Sequence, residues 1–573
     1  MKRKAFFPPK VLLLLLCFFC FVFASMAQGT ISGKVVTDKG EPIAGATVSL
    51  KNRKASTRTD DLGRFHFSNS SGSNVALVIT HVGYDRKEVT YTDGVAMTVA
   101  LSEVSAVGDE VVVTGVFDKR KKMEASVAIS TISSKDIAKI TPVSAADLLK
   151  NVPGVFVNSS LGEIRNTVYS RGVSVGSNDG ASGYYYVSMQ EDGLPVTNAT
   201  YGNYGPDYFL RADATIGRVE AVRGGTASIL GANAPGGIFN YVMKEGGEKT
   251  AGEVRTRYGL EGNGKNNFYR ADFNVGGPLG KSWFYDAGGF YRYDQGARYP
   301  GYALNNGGQL RANIVKKYAT GSIKVYAKYL NDRNGWYEFT PTVGFTNPKP
   351  AEGFSESSSV LMQPVRQNFL INQTGKAGTY DNKDLIHSID KSIGTTWEQR
   401  LGNGWTLNNA LRYSDKRAFW NTNAVVYPLD MGNLISYAIL GQLGLPGTYS
   451  LHNAKTGKDL LTVKSFSGYD FNVLSNNLPG SAVAPNSLFF QPLLYIDNGA
   501  KEFLDQYSLT KRLKNMSFTV GGFYGHSKVD RINGAAGLGL ATIQDRPELV
   551  TITRTNPDGT VTHLTNGNGI MGV

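Results

Sequence analysis

From Ala251 onward the chain alternates apolar and polar residues with period two, and this pattern limits its fold more than any other feature. Val254, Thr256, Tyr258 and Leu260 fall on one side of an extended strand, and Arg255, Arg257, Gly259 and Glu261 on the other. Tyr269, Ala271, Phe273 and Val275 oppose Arg270, Asp272 and Asn274. After the turn Gly277-Pro278-Leu279-Gly280, Trp283, Tyr285, Ala287, Gly289, Tyr291 and Tyr293 oppose Asp286, Arg292 and Asp294. Ile323, Val325, Ala327 and Tyr329 repeat the scheme against Lys324 and Lys328, as do Trp405, Leu407, Leu411 and Tyr413 against Asn408 and Arg412. A soluble sandwich would alternate too. What separates the two is strand length beyond the roughly 9 to 11 residues that cross a bilayer at a tilt, short turns at one end, long loops at the other and abundant Tyr. These are marks of an antiparallel transmembrane β-barrel. The segments Asn334 to Lys383 and Asn421 to Gly499 are expected as its extracellular loops, with little strand of their own and a Tyr, Phe and Asn content suited to ligand capture. Later strands are expected from Phe503 to Leu513 and from Met516 to Val529.

The beginning of the chain fits export. Lys2, Arg3, Lys4 and Lys10 precede an apolar run from Val11 to Val22 that holds five consecutive leucines, and Ser25-Met26-Ala27 offers small residues for cleavage before Gln28. The run falls short of the roughly 20 residues of a transmembrane helix. Residues 1–27 are therefore expected to be a signal peptide, which leaves 573 − 27 = 546 residues. Both cysteines, Cys17 and Cys20, lie in it, so the mature chain has no disulfide chemistry. Removing its four basic residues lowers the formal charge from +13 to +9. With no dominant Lys/Arg block, that charge favours an anionic envelope surface over nucleic acid.

Residues 28–103 read as a small β-sandwich of short, regularly spaced strands. Gly33-Lys34-Val35, Pro42-Ile43-Ala44-Gly45-Ala46-Thr47-Val48, Thr59-Asp60-Asp61-Leu62-Gly63-Arg64-Phe65 and Val82-Gly83-Tyr84 resemble the carboxypeptidase regulatory-like domain, a non-catalytic family. His66 and His81 have no ligand partners at metal spacing and read as strand residues. The linker, 104–123, contains the strand Asp109 to Gly115 and the basic run Lys119-Arg120-Lys121-Lys122. Taken alone, it reads as a last sandwich strand and a solvated linker. An exposed β-branched strand could also add to the sheet edge of another protein.

Residues 124–246 read as a compact α+β unit. Ser133-Ser134-Lys135-Asp136 and Ser144-Ala145-Ala146-Asp147 have the spacing of capping boxes. Two short helices follow them, and the second ends at Val152-Pro153-Gly154. Strands are expected around Val155, Val168, Val187, Val219 and Phe239. The helix end Leu148 to Val155, Ser170-Arg171-Gly172, Asp192-Gly193-Leu194-Pro195-Val196, Arg218 to Gly224 and Ser228 to Gly237 resemble, in this order, the plug domain of TonB-dependent outer-membrane receptors.

The resemblance implies a TonB box at Glu110, Val111, Val112, Val113 and Thr114, which pairs with a periplasmic energy-transducing protein of the TonB type. It implies a plug whose turns use Gly172, Gly224, Gly231, Gly236 and Gly237, and whose charges Arg171, Glu220 and Arg223 are expected in buried ion pairs, with one another or with the barrel lumen. The ligand-facing plug loop is expected to present Tyr184, Tyr185, Tyr186, Tyr201 and Tyr204. The implied mechanism is capture of a scarce nutrient by loops and outer plug face, followed by a pull on the box that remodels the plug. A siderophore-type chelate and a glycan both fit as ligand, with outer-membrane lipid as a further partner and a surface lipoprotein as a candidate one. Such barrels have about 22 strands. Only nine or ten can be placed in 247–573, so the barrel is expected to be incomplete in this chain, and an open sheet would not be expected to insert alone.

Three enzyme-like patterns carry less. Gly172-Val173-Ser174-Val175-Gly176 has nucleophile-elbow spacing but is followed by a loop, not a helix. Gly259 to Lys265 has phosphate-loop spacing, but Asn266 stands where a hydroxyl belongs. Gly231, Gly236 and Gly237 suggest turns before a phosphate cradle. His387, His452, His526 and His563 are scattered singly, so neither a metal, a cofactor nor a catalytic residue is expected. The reading is a mainly β receptor and transporter, exported to the cell outer membrane; the rival is a secreted multidomain adhesin.

Overall fold

A computed structural model describes residues 31–38, 40–51, 55–67, 75–81, 84–92, 97–102, 111–112, 120–121, 129–173, 186–198, 205–224, 231, 234–425, 427–480 and 482–572. The expected signal peptide lies outside them. Two compact units are present, 1–112 with 120–125, and 113–119 with 126–573.

The first unit is a β-sandwich. Ile31–Thr37 pairs with Arg64–Phe67 and, in parallel, with Met97–Leu101; a second sheet orders Ser56–Arg58, Thr47–Leu50, Val75–His81 and Tyr84–Tyr91. Alternate residues point between the sheets, so Val35, Val48, Phe65, Leu77, Ile79 and Val99 form one core. Thr59 locks the turn region by donating to Ile43 O (2.7 Å) and accepting from Ala46 N (2.8 Å). Also in the first unit, Val111–Val112 pairs antiparallel with Arg120–Lys121.

In the second unit, an α+β domain carries a five-stranded sheet ordered Ile129–Ser133, Ile216–Arg223, Gly237–Met243, Val187–Glu191 and Leu194–Pro195. The helix Ser134–Lys139 begins where Ser133 accepts from Asp136 N at 3.3 Å, as the capping box requires. The second box, at Ser144, opens a 3₁₀ turn, Ala146–Asn151, with Asp147 reaching back to Val143 N. Val155–Asn158 and Thr167–Ser170 form a hairpin.

After Lys244 the chain turns into the large sheet. Gly246 makes that turn possible: a Cβ there would meet Tyr285 O at 2.2 Å and Gly277 O at 2.7 Å. The sheet has eleven strands among the described residues, nine of them long: Ala251–Glu261, Asn266–Gly280, Trp283–Asp294, Asn305–Tyr318, Gly321–Asn334, Leu385–Gly402, Trp405–Asn423, Ser487–Arg512 and Ser517–Ala541. Each of these long strands is antiparallel to its long neighbours. Short turns at Lys281-Ser282, Ala319-Thr320 and Asn403-Gly404 lie at one end, and the long connections lie at the other.

Burial along these strands is the reverse of that in a soluble sheet. Val254, Tyr258, Leu310, Val325 and Ile393 are exposed, while Asp272, Arg292, Lys328, Asp390 and Lys416 are buried. The exposed face carries Trp283, Trp397 and Trp405 near the short turns and Tyr258, Tyr269, Tyr291 and Tyr293 toward the opposite end. From Trp283 to Tyr293 is about 34 Å of strand, or about 26 Å of height at a tilt of about 40°, close to the roughly 25 Å apolar band of a barrel wall.

Two expectations about this sheet need correction. Of the last two long strands, Ser487–Arg512 begins earlier and Ser517–Ala541 runs further than expected, with 26 and 25 residues. Consequently Ser487 to Gly499, expected as loop, is strand, and from Leu493 it pairs with the 405–423 strand. The long connections are also not devoid of strand. Gly447–Asn453, Asp459–Ser465 and Asn472–Asn476 join Val550–Thr555 and Val561–His563 in one five-stranded sheet over a core of Tyr437, Tyr449, Leu461, Val463 and Ile552. Strands this short give little periodicity, and two of their partners lie about a hundred residues away.

Candidate functional site at the interface of inner domain and wall

The buried face of the large sheet is charged because the α+β domain covers it with charges of its own. Asp192 (φ 47°) and Gly193 (φ 88°) form the tight turn after strand Val187–Glu191. That turn is held by Gly193 N donating to Asn240 Oδ1 (2.9 Å) and Met243 N to Asp192 Oδ1 (3.0 Å). It aims Glu191 at three wall strands at once, where it meets Arg311, Lys328 (3.1 Å) and Arg412 (4.0 Å). The chain of alternating charge continues. Lys328 meets Asp390 at 3.0 Å, Asp390 meets Lys416 at 3.8 Å, and Lys416 meets Glu502 at 3.2 Å. Glu502 closes the loop by accepting from Asn198 N at 2.8 Å and Thr197 Oγ1 at 3.0 Å. Arg412 also donates to Pro195 O and, at 3.1 Å, to Val196 O. Four wall strands thus grip the eight residues from Glu191 to Asn198, and a fifth, through Asp390, links the lysines of two of them.

A second cluster surrounds Arg211, which is completely buried. It donates to Asp332 (2.7 Å) and Asn334 (2.7 Å) and lies 3.7 Å from Glu163. Arg292 pairs with the same two acids, reaching Asp332 at 2.7 Å. Smaller contacts include Gln309 to Asp213 at 2.7 Å and Lys324 to Asp192 and Glu245, both at 3.2 Å. Apolar residues join across the interface as well, since Leu330, Trp336, Ile386 and Ala418 belong to the core of the inner domain.

Burial alone would raise the Glu191 carboxyl, but Arg311, Lys328 and Arg412 outweigh it and hold the group down at about 2. Glu191 is therefore an anion at any physiological pH. Such buried pairs stabilise little relative to an apolar interface, because desolvation offsets their attraction. Their effect is on position: removing one partner leaves a buried charge exposed to no counterion, so only one seating of the domain satisfies all of them.

The residues singled out from sequence fall into different places. Glu220 is fully buried and paired with Arg218 at 2.6 Å, on the strand Ile216–Arg223. Arg171 and Arg223 depart from the expectation of buried ion pairs. Arg171 is exposed on a left-handed turn (φ 51°), and among the described residues neither arginine forms a salt bridge. Arg223 donates instead to Pro153 O, and burial together with neighbouring Arg171 lowers its pKa. Both stand at the Pro153-Gly154 turn, where the two like charges are neighbours and a backbone carbonyl serves Arg223 in place of an acid. Gly172 and Gly224 adopt positive φ (77° and 99°). Gly237 (φ 147°) lies where a Cβ would meet Val222 O at 2.5 Å, and at Gly236 and Gly231 the nearest atoms would be 3.0 Å away. All five are packing and turn positions. The Gly259 to Lys265 pattern is a turn between two antiparallel strands, without a helix.

Tyr186 is half exposed, its carbonyl accepting from Gly236 N at 2.8 Å. Tyr184, Tyr185, Tyr201 and Tyr204, and Glu110, Val113 and Thr114 of the expected box, lie outside the described residues. The wall charges were visible in the sequence as the polar half of the alternation. Their partners Glu163, Glu191 and Arg211 were not, since no repeating pattern around them marks the side on which they stand.

The family described as TonB-dependent Receptor Plug Domain matches residues 121–238. The inner domain is a TonB-dependent receptor plug. The CarboxypepD_reg-like domain family matches 31–113. Among curated proteins, the TonB-dependent receptor SusC of Bacteroides thetaiotaomicron is 28% identical over 247 residues, 43% of this chain and 24% of that protein. The vitamin B12 transporter BtuB of Vibrio vulnificus is 30% identical over 154 residues, 26% of this chain and 23% of that protein. These matches thus span about a quarter of each relative's own length. Among solved structures, the ferripyoverdine receptor of the outer membrane of Pseudomonas aeruginosa aligns with 79% of this chain and 61% of its own, at 15% identity and a TM-score of 0.45. The plug is seated against the polar face of the large sheet, with an apolar face outward.

Proposed function

We propose that this chain acts in energy-coupled nutrient uptake across the cell outer membrane, as a TonB-dependent receptor and not as an enzyme. The observation that carries the reading is the plug fixed by buried charges to the polar face of a sheet whose other face is apolar and banded with aromatics. A secreted adhesin has no use for such an outward face. Export through a cleaved signal peptide would bring the chain to the periplasm, and the wall would meet lipid.

The partner is a TonB-type protein that pairs with the strand around Val111 and Val112. These two residues pair with Lys121 and Arg120 along the backbone, so docking would use the opposite edge or exchange one strand for another. A strand pair pulled along its axis loads several hydrogen bonds together, which lets a short segment carry force without catalytic chemistry. The ligand is a siderophore-type chelate or a glycan, and a surface lipoprotein would accompany the second. Val112→Pro removes a backbone donor. Ligand uptake by cells carrying that variant should fall to the level seen without an energised inner membrane, with surface binding retained; undiminished uptake would refute the box.

A further inference from the structure

The short-turn end of the wall is unlike the rest of it. Residues 279–284, 315–323, 397–407 and 509–518, which form the four short turns and their flanks, contain seven Lys or Arg and one acid, Glu398. They also contain three of the five tryptophans of the chain, Trp283, Trp397 and Trp405. At the opposite end of the same strands the signs are mixed: Lys383 stands near Asp381, and Arg417 pairs with Asp497 at 2.6 Å. The excess of positive charge is confined to one rim.

Two of these cations are placed by the sheet register. Lys316 lies directly across from Trp283, with Nζ 4.9 Å from the ring centroid, and Lys511 across from Trp405 at 5.2 Å. The ring faces hold the ammonium groups at the level where the apolar band ends. Trp397 Nε1 donates to Tyr318 Oη at 2.8 Å, which fixes the third indole at the same height. Among the described residues, Lys281, Lys316, Lys511 and Lys514 form no salt bridge.

We infer that this collar binds the phosphate headgroups of anionic phospholipid in the membrane leaflet at the short-turn end, with Trp283–Lys316 and Trp405–Lys511 as its two repeating sites. The inference rests on the membrane-spanning reading of the wall. An indole body at the acyl boundary and an ammonium just beyond it match a lipid whose glycerol lies above its chains and whose phosphate carries the net charge. Acidic side chains of the protein do not compete for these ammonium groups, so a zwitterionic headgroup, whose own cation opposes the lysines, is the weaker ligand. Each lysine at a membrane surface is worth roughly a fivefold preference for an anionic lipid.

The tryptophans supply the readout. Trp283, Trp397 and Trp405 are exposed on the outer face, whereas Trp336 is buried and packs at a tilt against Trp420, with ring centroids 5.1 Å apart, on the inner side. The full chain in zwitterionic detergent micelles is doped with phosphatidylglycerol or phosphatidylcholine of equal acyl bromination, and tryptophan fluorescence is followed. Quenching should set in at a severalfold lower mole fraction of the brominated phosphatidylglycerol. That preference should shrink as salt rises toward the roughly 10 Å Debye length of 0.1 M, and should be lost in a Lys316→Gln, Lys511→Gln variant but not in Lys391→Gln, an exposed lysine away from the rim. Equal quenching by the two lipids, or a preference that survives both salt and the double variant, overturns the collar. No quenching by either lipid would instead show that the outer face does not meet lipid at all, and the membrane reading would fall with it.

Discussion

The two faces of the same nine strands obey opposite rules. On the inner face, buried polar residues such as Arg292, Lys328 and Lys416 meet charges and carbonyls of the plug or of neighbouring strands, beside a few apolar ones such as Leu330; on the outer face, neighbours such as Tyr329 and Val325 are apolar and exposed. A residue such as Lys328 and the adjacent Tyr329 differ by one position in sequence and by the whole of their surroundings in space. Burial therefore does not rank residues by hydrophobicity in this molecule. It ranks them by the side of the sheet on which they stand: the one covered by the plug or the one left uncovered.

The sharpest way to break the comparison is to remove one charge from the inner face. Glu191→Gln keeps the shape but leaves Lys328, Arg311 and Arg412 short of a counterion, at a cost of about 3 to 5 kcal/mol. Hydrogen exchange of Val187 to Asn198 should then rise steeply while the wall strands stay protected; unchanged protection would show that the cluster does not seat the plug. Acid should reproduce the effect. Because the folded pKa of Glu191 is lowered to about 2, its contribution is complete above the ordinary value near 4.5 and is lost only as pH falls through about 2. Exchange-derived protection of this segment should be the same at pH 5 as at pH 7.

On the outer face, Leu310→Arg places a charge between the two aromatic bands. A cost of about 2 to 4 kcal/mol is expected if the position meets the bilayer midplane, read as a loss of chain from the detergent-extracted membrane fraction. An unaffected yield would favour a soluble sheet. The smallest effect is expected away from both faces: Ser133→Ala removes the N-cap of Ser134–Lys139, costs about 1 kcal/mol, and should raise exchange only at Lys135 and Asp136.

Parts of this arrangement were legible in the sequence. Val254 to Leu260 and Trp283 to Tyr293 announce their two faces because each strand sees two unlike surroundings along its whole length. Ser133 and Ser144 announce their turns because capping is local. The interface was only half legible: Lys324, Lys328 and Arg412 stand out as the polar half of a strand, whereas Glu163, Glu191 and Arg211 look like ordinary loop charges. Arg171 and Arg223 stood out by motif and nevertheless form no salt bridge among the described residues, Arg223 donating to Pro153 O instead. The sheet formed by Gly447–Asn453 and Val550–Thr555 was not legible at all, since its strands are short and their pairing is remote.

The sequence by itself determined the sandwich, the plug and the alternation of the wall, because capping, turn chemistry and period two are properties of neighbours along the chain. Only the tertiary structure decided which charge meets which, that Glu191 to Asn198 is the gripped segment, and that the lysines of four separate turns form one rim. Those outcomes depend on register between strands far apart in sequence, and a shift of one residue would exchange the two faces.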